Sequence, residues 1–253
     1  MFSPSAHHFL LLWLCLPAFW ASAWLGAYWR EKRGILKDTR PEDFQFIIGA
    51  TLTLLGLIVA FTFSMAVSRY DQRKNYEEQE ANAIGTAYVR ANLLPSADAA
   101  KVRALLSSYV TQRMLFYKAN NDQQLQQVND QITRLQHELW SAVAAIATVQ
   151  PTPVMALVLA AVNDVLNSQG NTQAAFWNRI PVAAWILMIV ISIFCNLLVG
   201  FGVRSRNVFL LLILPIVLSV SFFLIADIDS PRRGVIDVLP QNLARLAESL
   251  GRQ

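Results

Sequence analysis

The sequence predicts an all-α integral membrane protein with four transmembrane helices and a helical extramembrane bundle between the second and third spans. Hydrophobic residues fill 55% of the 253 positions and charged residues only 15%, which is far from the composition of an average soluble domain. Four apolar runs approach or exceed the roughly 18–20 residues that cross a bilayer as a helix. None of these runs contains an Asp, Glu, Lys or Arg: Phe9–Trp29, Phe46–Val67, Ile180–Val203 and Val208–Ala226. A transmembrane barrel would need alternating segments of about ten residues, which the sequence lacks.

These runs divide the chain into four parts. Residues 1–68 hold the first two spans with a basic connecting loop, and residues 69–179 form the extramembrane bundle. Residues 180–226 are expected to form a transmembrane hairpin, because the loop between the last two spans, 204–207, is very short. Residues 227–253 are a C-terminal tail.

The first run ends in a pattern that also resembles a signal-peptide cleavage site, Ala21-Ser22-Ala23. Signal peptides begin with a positively charged region. No Lys or Arg precedes this run, and its apolar character continues to Trp29. We therefore predict a retained span, with cleavage as the alternative.

The second span is expected to continue into water as one helix. From Arg69 onward the sequence turns polar and charged, yet no Gly or Pro interrupts it before Gly85. Arg69 is expected to mark the membrane surface, since basic residues flank membrane spans. Such a helix would couple the membrane layer mechanically to the polar bundle.

Three further helices are predicted in the polar middle of the chain. Ser96 opens the first as an N-cap, with Asp98 as an acid in the first turn. After Asn120–Asp122 the next helix carries apolar residues at alternating spacings of three and four, namely Leu125, Val128, Ile132, Leu135 and Leu139. This heptad seam indicates packing against a partner helix, either within the chain or in another subunit. Pro151-Thr152-Pro153 starts the last helix, and Gly170 is expected to end it.

Basic residues flank the spans in equal number on the two sides. Seven lie in loops that the positive-inside rule would assign to the cytoplasm: Arg30, Lys32, Arg33, Lys37, Arg40, Arg204 and Arg206. Seven others would place residues 69–179 there instead: Arg69, Arg73, Lys74, Arg179, Arg232, Arg233 and Arg245. Charge therefore does not decide the orientation. The net charge of +4 does not indicate a nucleic-acid surface either, because acidic residues are interleaved with the basic ones.

A row of small residues follows one face of the second span: Gly49, Thr53, Gly56, Ala60 and Ser64. Rows with spacings of three and four let transmembrane helices approach closely. Small and hydroxyl side chains also leave room for ions and supply a few polar contacts. The row therefore indicates either a helix-packing face or a pore face.

Several motifs resemble those of bestrophins. Ser64–Tyr70 reads SMAVSRY, like the end of the second membrane helix in that family, and Ile225–Pro240 reads IADIDSPRRGVIDVLP, like the segment after its last span. The order of two spans, a helical middle, two spans and a Pro-containing tail agrees as well. The chain is more similar still to the bacterial bestrophin-like family, through Arg69-Tyr70-Asp71, Glu80–Tyr88, and Asp229 and Pro231 followed by Gly234.

The resemblance implies a homo-oligomer, a pentamer in bestrophins, that lies in a bacterial inner membrane and conducts inorganic anions. It also implies that the polar middle and both termini are cytoplasmic. In bestrophins three bulky apolar residues, four apart, line the pore neck on the second span, and the matching positions are Thr53, Leu57 and Phe61. Leu57 and Phe61 fit this pattern, whereas Thr53 departs from it. With no Arg or Lys expected to face the pore, anion preference would come from aromatic edges and helix termini.

Calcium binding is the other property that the resemblance raises. In eukaryotic bestrophins an acidic run after the last span binds calcium, and here only three acids are available: Asp227, Asp229 and Asp237. Their spacing does not fit an EF-hand loop. The simpler interpretation is that Asp229 and Pro231 stop the helix while Arg232 and Arg233 lie at lipid headgroups. We therefore predict no metal site.

The sequence indicates neither an enzyme nor a cofactor-binding protein. It contains no Gly-rich phosphate loop, nucleophile elbow or HExxH motif, and His7, His8 and His137 lack metal-binding spacing. Ion-coupled transport usually needs charged groups within the membrane, which the spans lack. Two function classes remain: a passive ion channel with its constriction near Phe61, or a non-conducting scaffold or sensor whose helical bundle binds a partner.

Overall fold

The computed structural model describes residues 6–33, 41–203, 208–232 and 234–251. Within these residues the chain forms eight α-helices, and no strand. They are α1 (Ala6–Arg33), α2 (Pro41–Arg90), α3 (Ser96–Lys118), α4 (Asp122–Val149), α5 (Pro153–Trp177), α6 (Val182–Gly202), α7 (Val208–Asp229) and α8 (Gln241–Leu250), with a 3₁₀ turn at Ala91–Leu93. The expectations that rest on Lys37, Arg40, the 204–207 loop and Arg233 lie outside the described residues.

Four helical segments are long and apolar enough to cross a membrane: Leu11–Lys32, Glu42–Leu93, Pro153–Gly202 and Phe209–Asp229. The third comprises α5 and α6, and α6 is its charge-free part. The all-α membrane fold with four spanning helices is therefore confirmed. α2 is a single helix of 50 residues, which confirms that the helix of the second span continues without a break.

The chain divides into two compact units. The first, here called the membrane unit, comprises Met1–Ser68 and Arg179–Ile236, and the second, the bundle unit, comprises Arg69–Asn178 and Asp237–Gln253. The membrane unit holds α1, α6, α7 and the first part of α2, and the bundle unit holds the rest of α2 with α3, α4, α5 and α8. The tail after α7 is thus divided between the two units at Ile236.

Glycines bring α1 and α6 into close contact in the membrane unit. A Cβ atom on Gly200 would lie 1.8 Å from the carbonyl oxygen of Ala23, and one on Gly26 would lie 2.1 Å from that of Leu197. No side chain fits at either position, so the two backbones touch directly. This is the small-residue packing that transmembrane helices commonly use, and the sequence analysis did not find it.

Two polar side chains of α1 bond to backbone carbonyls of α6. The Ser22 hydroxyl donates to the Ile193 carbonyl at 2.7 Å, and Arg30 Nη1 donates to the Gly202 carbonyl at 3.0 Å. Gly202 is the last residue of α6, where the carbonyls have no partner within the helix and favour a cation. α1 also packs against α7, where Phe19 and Phe222 meet edge to face at a centroid distance of 5.5 Å.

Replacing Gly200 with alanine should destabilise the membrane unit by about 1–3 kcal/mol, because the new methyl group forces α1 and α6 apart. Gly49→Ala is the matched control, since a Cβ atom there has nothing within 4 Å. Thermal unfolding of both variants in detergent, followed by tryptophan fluorescence, measures the difference. Equal midpoints for the two variants would contradict the close backbone contact.

The bundle unit has one apolar core to which α2, α3, α4, α5 and α8 all contribute. The largest of its fully buried apolar side chains are Ile84, Leu106, Tyr109, Phe116, Ile132 and Leu139. Within the heptad seam of α4, Ile132 and Leu139 belong to this core, and Leu125, Val128 and Leu135 pack against it half-buried. The seam therefore packs within the chain, which was one of its two alternatives, because α4 lies against α3 and α5.

The ends of three helices test the predicted start and stop signals. The side chain of Asn121 caps α4 by accepting from Gln124 N at 2.7 Å, and that of Thr152 caps α5 by accepting from Met155 N at 3.1 Å. Two predictions were wrong. Ser96 is the first residue of α3 rather than its cap, since Pro95 occupies the cap position. α5 continues through Gly170 to Trp177, because burial of Thr172 and Phe176 outweighs the roughly 1 kcal/mol that a glycine costs in a helix.

Candidate functional site

The three residues proposed for the pore neck lie on one face of α2. Thr53, Leu57 and Phe61 are four residues apart, about one helical turn, and all three are exposed in the single chain. Leu57 is 50% exposed and Phe61 is 65% exposed, so neither is covered by a neighbouring helix among the described residues of the chain. The Thr53 hydroxyl donates to the Gly49 carbonyl at 2.8 Å, so its polar group is satisfied within α2 itself.

The remaining small residues of α2 share this face. At about 100° per residue, Gly49, Gly56, Ala60 and Ser64 fall with the neck residues in an arc of about 140°, and all are exposed. A Cβ atom on Gly49 or Gly56 would have nothing within 4 Å. The row is therefore not packed against the other helices within the described residues of the chain.

The opposite side of α2 is covered by the chain. Leu55, Thr62 and Ala66 are 2%, 5% and 0% exposed, and they lie roughly 180–220° around the helix from Thr53. Thr51 and Cys195 bring α2 and α6 together, with the Cys195 Sγ atom 3.5 Å from the Thr51 carbonyl oxygen. α2 thus presents one buried side and one uncovered side. We call the uncovered side, which carries the neck residues and the small row, the α2 open face.

The residues of the Arg69-Tyr70-Asp71 motif have different environments. Arg69 is half-buried, Asp71 is exposed, and Tyr70 packs half-buried against the core of the bundle unit. The Lys74 ammonium lies 5.9 Å from the centroid of the Tyr70 ring. The motif therefore contributes packing to the bundle unit through Tyr70 and polar surface through Asp71.

The Asp229 motif ends α7 and connects it to the beginning of α6. Asp229 is the last residue of α7, and both of its carboxylate oxygens accept from the Ile180 backbone N–H at 3.2 Å. Ile180 lies two residues before α6, so the carboxylate is close to the positive end of that helix dipole. Pro231 is buried in the bend that follows. Asp229 and Pro231 thus terminate the helix, as the simpler interpretation of this segment expected.

Asp227 has a structural role that the sequence analysis did not assign. It is 1% exposed, and its two carboxylate oxygens accept from the backbone N–H groups of Val235 at 2.7 Å and Ile236 at 2.9 Å. A Cβ atom on Gly234 would lie 2.8 Å from the Asp227 carbonyl oxygen and 3.0 Å from Oδ1. Gly234 is therefore needed for the chain to fold back onto this carboxylate.

Replacing Asp227 with alanine should destabilise the fold by about 1–3 kcal/mol, because two backbone N–H groups lose their acceptor. The measurement is the denaturation midpoint of the full chain in detergent. Asp164→Ala on the exposed side of α5 removes the same group without this loss and serves as the control. Wild-type stability of Asp227→Ala would show that the turn at Gly234 does not depend on the carboxylate.

The bundle unit also contains a buried ion pair that the sequence analysis did not predict. Glu80 and Arg113 are both fully buried, and they form a bidentate pair in which Arg113 Nε and Nη2 donate to Glu80, the Nη2–Oε2 distance being 2.9 Å. The Thr172 hydroxyl donates to the same carboxylate at 3.1 Å. One carboxylate therefore joins α2, α3 and α5.

The surroundings of this pair keep the neighbouring groups in fixed protonation states. Burial alone would lower the pKa of Arg113, but the Glu80 carboxylate outweighs burial and raises it, so the guanidinium stays charged. Burial, and after it the charge of Glu80, raises the pKa of Tyr109 and Tyr117 above the ordinary value of a phenol. The Arg113 guanidinium also lies 4.4 Å from the centroid of the Phe116 ring, within the range of a cation–π contact.

A second buried carboxylate holds the C-terminal helix. Glu77, which is 2% exposed, accepts from the Leu243 backbone N–H at 2.9 Å and from Asn242 Nδ2 at 2.7 Å. It thereby caps the first turn of α8 from α2, where unsatisfied N–H groups favour an anion.

The spacing of these charges in α2 could have revealed them. The apolar seam of Ile84, Ala87 and Ala91 continues backward at steps of three and four through Glu80, Glu77 and Arg73, and all of these residues are buried. Charged residues in phase with an apolar seam indicate buried charges that need partners. The described residues contain no group of three or more His, Cys, Asp or Glu side chains that could hold a metal ion.

The sequence matches a known family model, and the fold is similar to that of solved structures. The sequence matches the family model of the Bestrophin-like domain over residues 15–243. Among solved structures, a point mutant of a bacterial bestrophin homologue from Klebsiella pneumoniae is similar with a TM-score of 0.67 at 14% identity, covering 97% of this chain and 99% of that chain. A structure of a bestrophin homologue from the same organism, solved by Zn-SAD phasing, has a TM-score of 0.63 at 14% identity and covers 96% of each chain. None of the curated proteins matches.

Proposed function

The chain belongs to the bestrophin-like family, and from this premise we propose that it is a passive ion channel that conducts anions. Its constriction would lie on α2 at Leu57 and Phe61, with Thr53 at the wider end. The channel would be formed by several copies of the chain around a symmetry axis. It would use no cofactor, and its membrane would be a bacterial inner membrane.

The observation that carries the proposal is the α2 open face. The face runs along a span of the membrane unit, contains no charged residue from Gly49 to Ser64, and is not covered by the other helices of its own chain. A single chain of this size has too few spans to enclose a pore. Several copies that turn the open face toward a common axis would bury it and enclose one.

Leu57 and Phe61 are suited to form a hydrophobic constriction. In a symmetric assembly each would form a ring, and rings one helical turn apart produce a short apolar neck that can exclude water and so block ions. The absence of charged residues in the spans favours passive conduction, because ion-coupled transporters rely on intramembrane charges. The positive edges of the Phe61 rings favour anions over cations in such a neck.

The small residues beside the neck support close assembly of copies. Gly56, Ala60 and Ser64 lie within the same uncovered arc as Phe61, and small side chains allow neighbouring helices to approach. These residues would therefore either meet the next subunit or widen the pore beside the neck. The family resemblance favours a pentamer among the possible assemblies.

The alternative function is a non-conducting scaffold or sensor whose bundle unit binds a partner. One observation favours it: Trp140 on α4 is 41% exposed and lines a cleft of about 380 Å³ with Leu166 and Asn163 of α5. Exposed tryptophan is enriched where proteins bind one another. The two functions share one fold and differ in whether the purified protein conducts.

Chloride efflux from liposomes that contain only the purified chain tests the proposal. We expect efflux above that of empty liposomes, and loss of the signal when gluconate replaces the permeant anion. Native mass measurement in detergent should give an oligomer. Efflux at background level from folded, oligomeric protein would favour the scaffold, and a purely monomeric protein would contradict the channel assembly itself.

A further inference from the structure

We propose that the groove between α2 and α8 binds a small molecule that carries a phosphate group beside an apolar part. The groove lies within the bundle unit and has a volume of about 590 Å³, within the range of small-molecule sites in proteins. This proposal does not depend on whether the protein conducts ions.

Hydrogen-bonding side chains form a row along each wall of the groove. On α2 they are Asn82, Thr86 and Arg90. These residues are spaced four apart and therefore lie on one face of the helix. On α8 they are Asn242, Arg245 and Ser249, which also share one face. The two rows face each other across the groove and supply donors from both sides.

The distance between the walls is set by two contacts. The Glu77 carboxylate binds the start of α8 through Asn242 and the Leu243 N–H. Farther along, a Cβ atom on Gly85 would lie 3.4 Å from Leu246 Cδ1, so Leu246 of α8 lies directly against α2 at this position. Both contacts advance in the same direction along the two helices, so α2 and α8 run in the same sense where they form the groove.

The charge of the lining favours an anion. The residues that line the groove include two arginines and no carboxylate. Arg90 Nη1 donates to the Leu157 carbonyl at 3.1 Å, which uses one of the five N–H donors of its guanidinium. The nearest carboxylates are those of Glu80, which precedes Ala81, and Glu77, which accepts from Asn242. Glu80 is paired with Arg113, and Glu77 is occupied by the start of α8, so neither lines the groove. The exposed acids Glu78 and Glu248 do not line it either.

Phosphate is the anion that this arrangement suits best. Guanidinium groups present a planar fork of donors that pairs with phosphate oxygens in a bidentate manner. Hydroxyl and amide donors such as those of Thr86 and Asn82 can complete the contacts to a tetrahedral anion. The floor of the groove is apolar, with Val89 at 66% exposure and Leu246 beside it, so the ligand should carry an apolar group next to its phosphate.

The larger cleft of the bundle unit provides a contrast. It lies between α3 and α4 with a volume of about 720 Å³ and is lined by Lys101 and His137 but also by Asp98 and Glu138. Its mixed charges do not favour an anion. Lys101 therefore serves as a control residue for Arg245. It is a cation that lines a cleft in the same unit, but this cleft is not expected to bind an anion.

Calorimetric titration of the full chain in detergent with phenyl phosphate, and with inorganic phosphate, tests the proposal. We expect phenyl phosphate to bind more tightly than inorganic phosphate because its ring covers the apolar floor. Arg245→Gln should weaken binding about tenfold or more, since it removes a charge-assisted contact, and Lys101→Gln should leave it unchanged. Arg245 is exposed on α8, so its replacement should not disturb the fold, and the thermal midpoint of each variant checks this.

Nanodiscs distinguish a free phosphate compound from a lipid headgroup as the natural source of the ligand. Weaker phenyl phosphate binding in phosphatidylglycerol discs than in phosphatidylcholine discs would support the site and assign it to a lipid headgroup. Equal binding in the two discs would support the site with a soluble ligand. No binding by the wild-type protein, or equal binding by wild type and Arg245→Gln, would overturn the proposal.

Discussion

Replacing Phe61 with alanine should raise chloride efflux from liposomes about tenfold or more. The substitution removes a ring of phenyl groups from the proposed neck, which should widen the neck and let water enter it. A lowering of the permeation barrier by about 1.4 kcal/mol is sufficient for a tenfold increase. Leu57→Ala combined with Phe61→Ala should increase efflux further, whereas Phe61→Trp should reduce it below the wild-type value.

Phe194→Ala is the matched control for this experiment. Phe194 is 61% exposed on α6, close to the 65% of Phe61 on α2, but it does not lie on the α2 open face. The same loss of a phenyl group there should leave efflux unchanged. If wild type and all variants gave equal, background-level efflux while shown to be folded and oligomeric, the channel proposal would be contradicted and the scaffold favoured.

Replacing Glu80 with alanine should destabilise the bundle unit by about 3–5 kcal/mol, which is the usual cost of removing one partner of a buried ion pair. The substitution leaves the fully buried Arg113 guanidinium without its carboxylate. The Thr172 hydroxyl loses its contact with Glu80 but keeps the Ser168 carbonyl as an acceptor. Urea denaturation followed by circular dichroism measures the loss of helix. Efflux is not the readout here, since the pair lies outside the membrane unit.

Two further variants show whether loss of the ion pair causes the destabilisation of Glu80→Ala. Glu78→Ala removes an exposed carboxylate two residues away on the same helix and should change stability by less than about 0.5 kcal/mol. Glu80→Leu combined with Arg113→Met should recover much of the loss, because apolar replacement of both partners leaves no unpaired buried charge. If Glu80→Ala were as stable as Glu78→Ala, the pair would not hold the three helices together.

The membrane fold follows from the sequence because its physical causes are local. Long runs without charge cross a bilayer as helices regardless of what they pack against. The continuity of α2 from Arg69 to Gly85 agrees with the absence of Gly and Pro between these residues, and burial of Ile84, Ala87 and Tyr88 accompanies its extension past Gly85 to Arg90. Caps such as Asn121 and Thr152 act within one turn, so they too are visible in the sequence.

The candidate site was predicted only in part, because exposure depends on tertiary contacts. Spacing in the sequence predicts one face for the small row, and the resemblance to bestrophins implies the neck positions Leu57 and Phe61. Neither shows whether other helices of the chain cover these residues. In the structure these residues are uncovered.

Long-range partners account for what was missed. Glu80 and Arg113 are 33 residues apart in sequence, and Glu77 and Leu243 are 166 apart. The seam of α2 can therefore indicate that Glu77 and Glu80 are buried, but not which residues pair with them. The same holds for Gly26 and Gly200, whose importance depends on the carbonyl opposite each of them. Gly170 failed as a stop signal for a related reason, since residues after it gain more from burial than the glycine costs.

The bond from Ser22 to Ile193 has a consequence for the order of biogenesis. The two residues are 171 positions apart, and at about 5–20 residues per second synthesis of the intervening chain takes roughly 10–30 seconds. During that time α6 has not been synthesised, so Gly26 of α1 has no helix to pack against. The Ser22 hydroxyl must also find an acceptor other than the Ile193 carbonyl. Spans that insert singly and associate later follow the two-stage scheme for membrane proteins. Here the waiting period is set by the length of chain encoded between the two residues, most of which is the bundle unit, so the membrane core closes only after most of the protein has been synthesised.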